Sequence, residues 1–389
     1  MKKKVAIMLI GLADEKIGGA ERFFADFFTL YDKYPEAKFS AIFLTDKSSA
    51  GILSKLGKLE GNNPAVIRLI NVSNRLKKIA EGFDFLWKIV INRVDILHVG
   101  SYTAYYYNRV KLLDRLPRFL RPKLVINIVS TELPYQYPLK DKDEMGYYRR
   151  FSPLFNNIYI DGIYCWNKLF KEYAEANSII RSKPLIEAIK SRFSSDKKFF
   201  PIKKKKQIVF VSRLVPVKAP LFFLEAINVL VNEWKFNLSG WRFIICGDGP
   251  LKKDCLDFIA EKTLGECTTL LDNVPDSSVI VNESLCYVST QDLDNFPSLA
   301  MNEAMTAGNA IIARNVGQTA LFVEDGKNGF LAKEDSPHGL AEAIRKYIDS
   351  PMLHESFSAH SIRLTQEVHT PANFIRGIES FWHKILQRR

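Results

Sequence analysis

No stretch of this 389-residue chain approaches the run of about 18 apolar residues that a membrane-spanning helix needs, so no span is expected. Cysteine is scarce and badly placed for chemistry. Cys165, Cys246, Cys255, Cys267 and Cys286 are odd in number, lack CxxC spacing and sit mostly in apolar segments. That pattern argues against a disulfide framework or a zinc site, and a reducing cytoplasm is the simplest compartment. The usual nucleic-acid motifs are missing, and so is any internal repeat of fixed period. Charged residues make up only 25% against 47% hydrophobic ones, which excludes a disordered chain, and the length suffices for two packed cores.

What is present begins with an ambiguity. Lys2-Lys3-Lys4 followed by Val5–Ile10 has the basic and apolar regions of a signal peptide. Asp14, Glu15 and Lys16 follow at once without a small-residue cleavage site, so the segment reads as a buried parallel strand. Charge is unevenly placed: residues 1–206 hold 38 Lys+Arg against 21 Asp+Glu, and residues 207–389 hold 17 against 22. The basic first half suits an anionic partner, such as a phospholipid surface, a lipid-linked diphosphate, an acidic glycan or nucleic acid, or is simply solvated.

Short apolar runs alternate with segments of helical period, the mark of repeated βα units around parallel sheets. Expected strands are Val5–Ile10, Phe39–Leu44, Ile67–Ile70, Ile96–Val99, Leu124–Val129 and Ile158–Cys165 in a first series. A second series runs Ile208–Val211, Arg242–Cys246, Thr268–Leu271, Leu285–Val288, Ala310–Ala313 and Phe330–Ala332. Between them, Ser194–Lys206 has no apolar period and ends in four lysines, so it reads as the linker. The expected division is an N-terminal domain at 1–202, a second domain at 207–370, and a terminal segment, 371–389, whose apolar residues from Phe374 to Leu386 fit an amphipathic helix packing back on the first domain.

Four segments carry chemistry. Strand Val209–Val211 runs into a loop with Arg213 and Lys218, two cations at the carboxyl end of a parallel strand, where loops open into ligand crevices. Alone, each reads equally as a surface residue on a turn. The segment Asp292–Asn309 follows another strand; Pro297 and Ser298 are helix-start signals and Gly308 a stop signal, so a phosphate can meet the helix N-terminus near Ser298 and Leu299. Glu303 lies about one and a half turns in, where a carboxylate can accept from vicinal hydroxyls, or it is an exposed helix residue. Gly247-Asp248-Gly249-Pro250 is a tight turn letting the backbone pass close to something, without GxGxxG spacing. Gly18-Gly19 open a helix after the first strand and can admit a phosphate or sugar, or form an ordinary βα loop.

In this order, these segments resemble the retaining glycosyltransferases of family 4, which have the GT-B fold: α/β, two Rossmann-like doubly wound domains facing across a cleft, with a C-terminal helix crossing back. The likeness rests on Ser212-Arg213-Leu214-Val215-Pro216-x-Lys218, Gly247-Asp248-Gly249-Pro250, Asp294-Asn295-Phe296-Pro297-Ser298 with Glu303 after it, and Gly326-Lys327-Asn328-Gly329. The first half matches only at Gly18-Gly19-x-Glu21 and Asp95-Ile96-Leu97-His98. The resemblance implies that Arg213 and Lys218 contact a donor diphosphate, that Glu303 holds the ribose, that the backbone at Ser298 and Leu299 binds phosphate, and that Gly19 approaches the donor. It also implies transfer with retention, no cofactor and no metal. Asp294 stands where the family usually has Glu, spaced differently from Glu303. Gly100 and Ser130-Thr131-Glu132 replace a second His and a His-Asp pair common in the family, so acceptor-side residues rest on His98, Tyr102 and Glu132. A lone His after an apolar strand reads as a structural residue before a catalytic one; Glu132 can accept a proton or bind a sugar hydroxyl, or enter a helix.

The partners expected are a nucleotide-sugar donor and a glycan or lipid-linked acceptor, with no nucleic acid. Basic residues interleave with Leu and Phe through Arg109–Lys123, a segment that can lie on an anionic membrane or form a core-packed helix with a solvated face. The expected location is cytoplasmic, with peripheral contact at the inner face of the membrane. The competing classes are a nucleotide-sugar epimerase of the same architecture and a non-catalytic sugar-nucleotide or glycan-binding subunit.

Overall fold

The computed structural model describes residues 2–9, 19–46, 66–69, 77–100, 104–128, 158–166, 168–176, 180–191, 193, 203–271, 274, 276–292 and 298–388. The chain divides into two compact units, Met1–Ile189 with Phe374–Arg389, and Lys190–Asn373.

In chain order the first unit holds β1 (Lys4–Met8), α1 (Gly19–Asp32), β2 (Ser40–Asp46), β3 (Val66–Leu69), α2 (Lys77–Ile91), β4 (Ile96–Val99), α3 (Ala104–Val110), β5 (Lys123–Ile128), β6 (Gly162–Cys165), α4 (Lys168–Ala176) and β7 (Leu185–Ala188). The strands form one parallel sheet in the order β3-β2-β1-β4-β5-β6-β7. A parallel sheet is covered on both faces, which is why Val5 to Met8 form a continuous apolar run and are all buried. Val5–Met8 of the expected segment thus lies in a strand, as its flanks suggest. Two expectations need correction. The strand expected from Ile158 starts only at Gly162, and β7 was not expected at all, because Leu185-Ile186-Glu187-Ala188 is a short edge strand broken by a carboxylate.

Helix α1 places Phe23, Phe24, Phe27, Phe28 and Tyr31 in the core. The last helix of the chain packs on Phe23, Phe27 and Tyr31 through Phe374 and Trp382. Helix α2 is different. Phe85 and Ile89 point inward, while Ile79, Phe83, Trp87 and Ile91, four residues apart, stand 59–72% exposed along one stripe. The basic segment Arg109–Lys123 is not one helix: α3 passes into a 3-10 turn at Lys111–Arg115, Leu116 is extended, and the Pro117 carbonyl then accepts from the amides of Leu120 and Arg121.

The second unit holds β8 (Lys205–Val211), α5 (Pro220–Asn228) ending in a π-turn at Val229–Glu233, β9 (Arg242–Cys246), α6 (Lys252–Glu261), β10 (Thr268–Leu271), α7 (Ser278–Glu283), β11 (Ser284–Ser289), α8 (Leu299–Thr306), β12 (Ala310–Arg314), β13 (Gly329–Ala332), α9 (Pro337–Ile348) and α10 (Met352–Glu367). Its parallel sheet has the order β10-β9-β8-β11-β12-β13. The last helix, α11 (Pro371–Gln387), belongs almost wholly to the first unit, where Phe374, Ile378, Phe381, Trp382 and Ile385 are buried.

The lysine run expected as linker is in part strand. Lys204 Nζ donates to the carbonyls of Ser284 (2.8 Å) and Asn282 (3.2 Å) and to Asn309 Oδ1 (3.3 Å), and burial pushes its ammonium down to about 8. Lys205 pairs with Glu283, and Lys206 donates to the Ser239 carbonyl. Three of the four charges thus have their own acceptors, which offsets the mutual repulsion suggested by the sequence. Residues 194–202 lie outside the described residues.

Candidate functional site

Each sheet has one point at which its strand order reverses. In the second unit it lies between β8 and β11: from β8 the chain moves through β9 to β10, and from β11 it moves the other way through β12 to β13. The loops leaving the carboxyl ends of two such strands diverge, and ligands of open α/β sheets bind between them. Register pairs Tyr287 of β11 with Val209 of β8, so those two ends lie side by side.

The loop after β8 carries Arg213, which is exposed, and Lys218, which is half-buried and donates from Nζ to Gln291 Oε1. This loop is fixed on two sides. On one side the glycine turn meets it: Ser212 N donates to Cys246 O (3.1 Å), Leu214 N to Asp248 O (2.9 Å), and Leu251 N to Leu214 O (3.0 Å). A Cβ on Gly247 would stand 1.9 Å from the Ser212 carbonyl oxygen, and one on Gly249, whose φ is +154°, 2.5 Å from that of Leu214. The close approach expected at this turn is therefore to the backbone flanking Arg213. On the other side Asp292 N donates to Val217 O (3.1 Å), and the buried Thr290 hydroxyl lies 3.0 and 2.8 Å from the carbonyls of Lys218 and Ala219, donating between them.

The loop after β11 ends at α8. Ser298 is its N-cap, with φ −66° and ψ 123°, and its hydroxyl accepts from Met301 N at 3.3 Å. A cap of this kind contributes about 1 kcal/mol. Helix α8 starts at Leu299 and stops at Gly308, whose φ is +71°, as its start and stop signals suggest. The first amides of a helix lack intrahelical partners and lie at the positive end of its dipole, which suits an anion. Glu303 is half-buried one turn further on, near Tyr287. The Tyr287 hydroxyl donates to Val211 O (3.1 Å), and its phenol is held above the ordinary range by burial first and by the Glu303 carboxylate second. Glu303 is thus within electrostatic reach of Tyr287 on β11.

One residue the sequence reading passed over holds this arrangement. Arg314, the last residue of β12, is buried, stacks on Phe222 with its guanidinium 4.4 Å from the ring centroid, and makes a fork to Asp335 (Nε–Oδ1 2.6 Å, NH2–Oδ2 2.8 Å). Its NH1 donates to the Thr290 carbonyl (3.1 Å) and to Asp292. It thereby pins the start of the loop that leads to α8. The signal was available: a lone cation at the carboxyl end of a buried strand, the same feature that singled out Arg213.

Arg213 and Lys218 on the loop after β8, and Ser298, Leu299 and Glu303 at the start of and within the helix that follows β11, thus belong to one switch point. Gly19 is the first residue of α1 in the other unit, after β1, next to the switch point between β1 and β4. Gly18, Tyr102, Glu132 and Asp294 lie outside the described residues. His98, an acceptor-side candidate, has a fully buried side chain: its Nδ1 accepts from Trp382 Nε1 at 3.2 Å, and burial pushes it down to about 3.

Residues 191–363 match the family model described as "Glycosyl transferases group 1". Among curated relatives, a D-inositol 3-phosphate glycosyltransferase of Corynebacterium glutamicum (strain R) is 31% identical over 150 residues, 37% of this chain and 35% of that protein. A poly(ribitol-phosphate) alpha-N-acetylglucosaminyltransferase of Staphylococcus aureus (strain COL) is 24% identical over 150 residues, 38% of this chain and 29% of that protein. The chain thus spans about a third of the length of the curated relatives it matches. Among solved structures, Anabaena Alr3699/HepE in complex with UDP and glucose has a TM-score of 0.70 at 15% identity, covering 98% of this chain and 100% of that one. TarM has a TM-score of 0.68 at 13% identity, covering 100% and 99%. The likeness to the glycosyl transferases group 1 thus lies on residues 191–363, and the fold of the chain is that of the GT-B glycosyltransferases.

Proposed function

We propose that this protein transfers a sugar from a nucleotide diphosphate-sugar to a glycan or lipid-linked acceptor, with retention of anomeric configuration and without a metal, in the synthesis of a cell-surface polysaccharide or glycolipid. The observation that carries the reading is the meeting, at one switch point, of a loop bearing Arg213 and Lys218 with a Ser298-capped helix bearing Glu303. A uridine nucleotide is the first donor to try, because solved structures of the same fold hold UDP.

In this reaction the bond from the anomeric carbon to the diphosphate breaks while positive charge grows on the sugar. The demand falls on the leaving group. Arg213, Lys218 and the first amides of α8 supply fixed positive charge to the departing diphosphate, and Glu303 accepts from the ribose hydroxyls. In a same-face transfer a leaving phosphate oxygen takes the proton of the acceptor hydroxyl as the hydroxyl oxygen bonds to the anomeric carbon. No carboxylate nucleophile is then needed. On the acceptor side Tyr102 and Glu132 are our candidates from sequence; Gly18 and Gly19 approach the donor, and Asp294 accompanies Glu303. Contact with an anionic membrane completes the proposal.

Calorimetric titration with UDP, GDP and ADP, with and without EDTA, tests it. The expected result is binding of one nucleotide that survives EDTA and is lost in Arg213→Ala. No binding by any nucleotide would count against the donor site. Product analysis of the sugar nucleotide separates transfer from epimerisation.

A further inference from the structure

We propose that the outer face of α2, together with the basic turn after α3, is the surface by which the first unit docks on an anionic lipid bilayer. This deepens the membrane contact proposed above and stands apart from the donor assignment.

Two observations meet here. The first is the α2 stripe. Ile79, Phe83, Trp87 and Ile91 are exposed by 65, 72, 64 and 59%, although the opposite side of the helix already supplies Phe85 and Ile89 to the core. Single exposed apolar residues are ordinary in globular proteins, but four in line along one helix, two of them aromatic, form a continuous ridge. The second is the turn at Pro117–Leu120. Phe119 is 85% exposed, flanked by exposed Arg118 and Leu120, with Tyr159 53% exposed nearby and the Arg121 guanidinium 5.6 Å from its ring centroid.

The two features lie on the same side of the unit. The 3-10 turn that leads to Pro117 packs on α2: a Cβ on Gly82 would stand 2.9 Å from Leu112 Cδ1, and Arg109 lies 3.5 Å from Glu81. The far end of α2 runs into β4, and Asp95 there accepts the amide of Lys123 at 2.8 Å. Next to the turn, an open cavity of about 680 Å³ is lined by Lys111, Arg181 and Lys183 with Asp114, and a second of about 450 Å³ by Arg118, Arg121 and Lys123 with Asp161. Cations outnumber carboxylates in both.

An apolar ridge bordered by cation-lined hollows complements a surface with anionic headgroups above hydrocarbon. Aromatic and aliphatic side chains enter the headgroup boundary, while Arg and Lys meet phosphate. A second protein would instead need carboxylates beside an apolar groove. Charge complementarity therefore favours the bilayer.

The test is co-sedimentation of the full chain with phosphatidylcholine vesicles that contain phosphatidylglycerol, against phosphatidylcholine alone. Binding only to the anionic vesicles, weakened by salt, is expected. It should fall by about tenfold or more in Phe83→Ser/Trp87→Ser and in Arg118→Glu/Phe119→Ser. All of these side chains are exposed, and nucleotide titration of each variant reports whether the second unit is intact. Brominated lipid should quench fluorescence in the wild type and do so less in Trp87→Phe. Absence of binding to anionic vesicles, binding unchanged in both double variants, or quenching unchanged in Trp87→Phe would overturn the proposal. So would a dimer, seen by light scattering without lipid and abolished by the ridge variants, if vesicle binding persists.

Discussion

Trp382 Nε1 donates to His98 Nδ1 across 3.2 Å, joining residues 284 positions apart inside the core of the first unit. Burial keeps that imidazole neutral, with its proton affinity pushed down to about 3. His369 in the second unit, buried and accepting no more than partial relief from the Leu321 carbonyl, is pushed down to about 4.

These shifts fix the sign of a pH effect. A histidine whose folded value lies below its unfolded one, near 6.5, leaves the unfolded chain binding more protons as pH falls. Stability is full above about pH 6.5 and declines from there toward the folded values near 4 and 3. Urea denaturation at a series of pH values should show this decline, and His98→Gln should flatten the part that belongs to the first unit. An unchanged slope in that variant would mean that His98 is not the group responsible.

Removing the donor tests the same bond from the other side. Trp382→Phe leaves His98 Nδ1 buried without a partner, and a loss of about 1–3 kcal/mol in the unfolding of the first unit is expected. Nucleotide titration should not change, because the second unit is untouched.

Gly247→Ala should weaken nucleotide binding although no side chain of the turn is charged by the change. The new methyl would occupy the space of the Ser212 carbonyl, 1.9 Å away, and must displace the strand end that carries Arg213. We expect a loss of about 1–3 kcal/mol of stability and at least about tenfold in affinity. Calorimetry with normal affinity in this variant would show that the loop is less constrained than its contacts indicate.

For Arg314, the informative change is to lysine. An ammonium keeps the charge but cannot reproduce the fork to Asp335 while also reaching the Thr290 carbonyl. Arg314→Lys should therefore raise the nucleotide Kd by about tenfold with the fold retained, a loss of about 1.4 kcal/mol. Circular dichroism and titration together would separate this from global unfolding.

Glu303 can be examined through its ligand. If its carboxylate accepts from the ribose, Glu303→Ala and removal of both ribose hydroxyls should each cost about 1–3 kcal/mol. The two losses should not add, because either change removes the same contact. Additive losses would place Glu303 on another task.

The sequence carried the alternation of strands and helices, the Ser298 start and Gly308 stop of α8, and the pair Arg213 and Lys218, because each depends on local pattern or on neighbours within one loop. What it hid depends on partners distant in the chain. Arg314 reads as one more cation until Thr290, Asp292 and Asp335 are brought to it. His98 reads as a candidate for chemistry until Trp382 covers it. The ridge on α2 escaped notice for a related reason: Phe83 and Trp87 look like core residues in a periodic apolar segment, and only the packed unit shows which side Phe85 and Ile89 had already filled.

The placement of α11 has a consequence for synthesis. The helix that seals Phe27, Tyr31 and Phe39, with Trp382 against them and Glu379 accepting from the Tyr31 hydroxyl at 2.5 Å, follows the whole second unit in the chain. A ribosome building the protein from its first residue therefore releases the first unit with an aromatic flank uncovered, and must make residues 190–373 before the cover arrives. During that interval the nascent chain exposes the kind of surface that chaperones bind, and the unit encoded first is the one finished last.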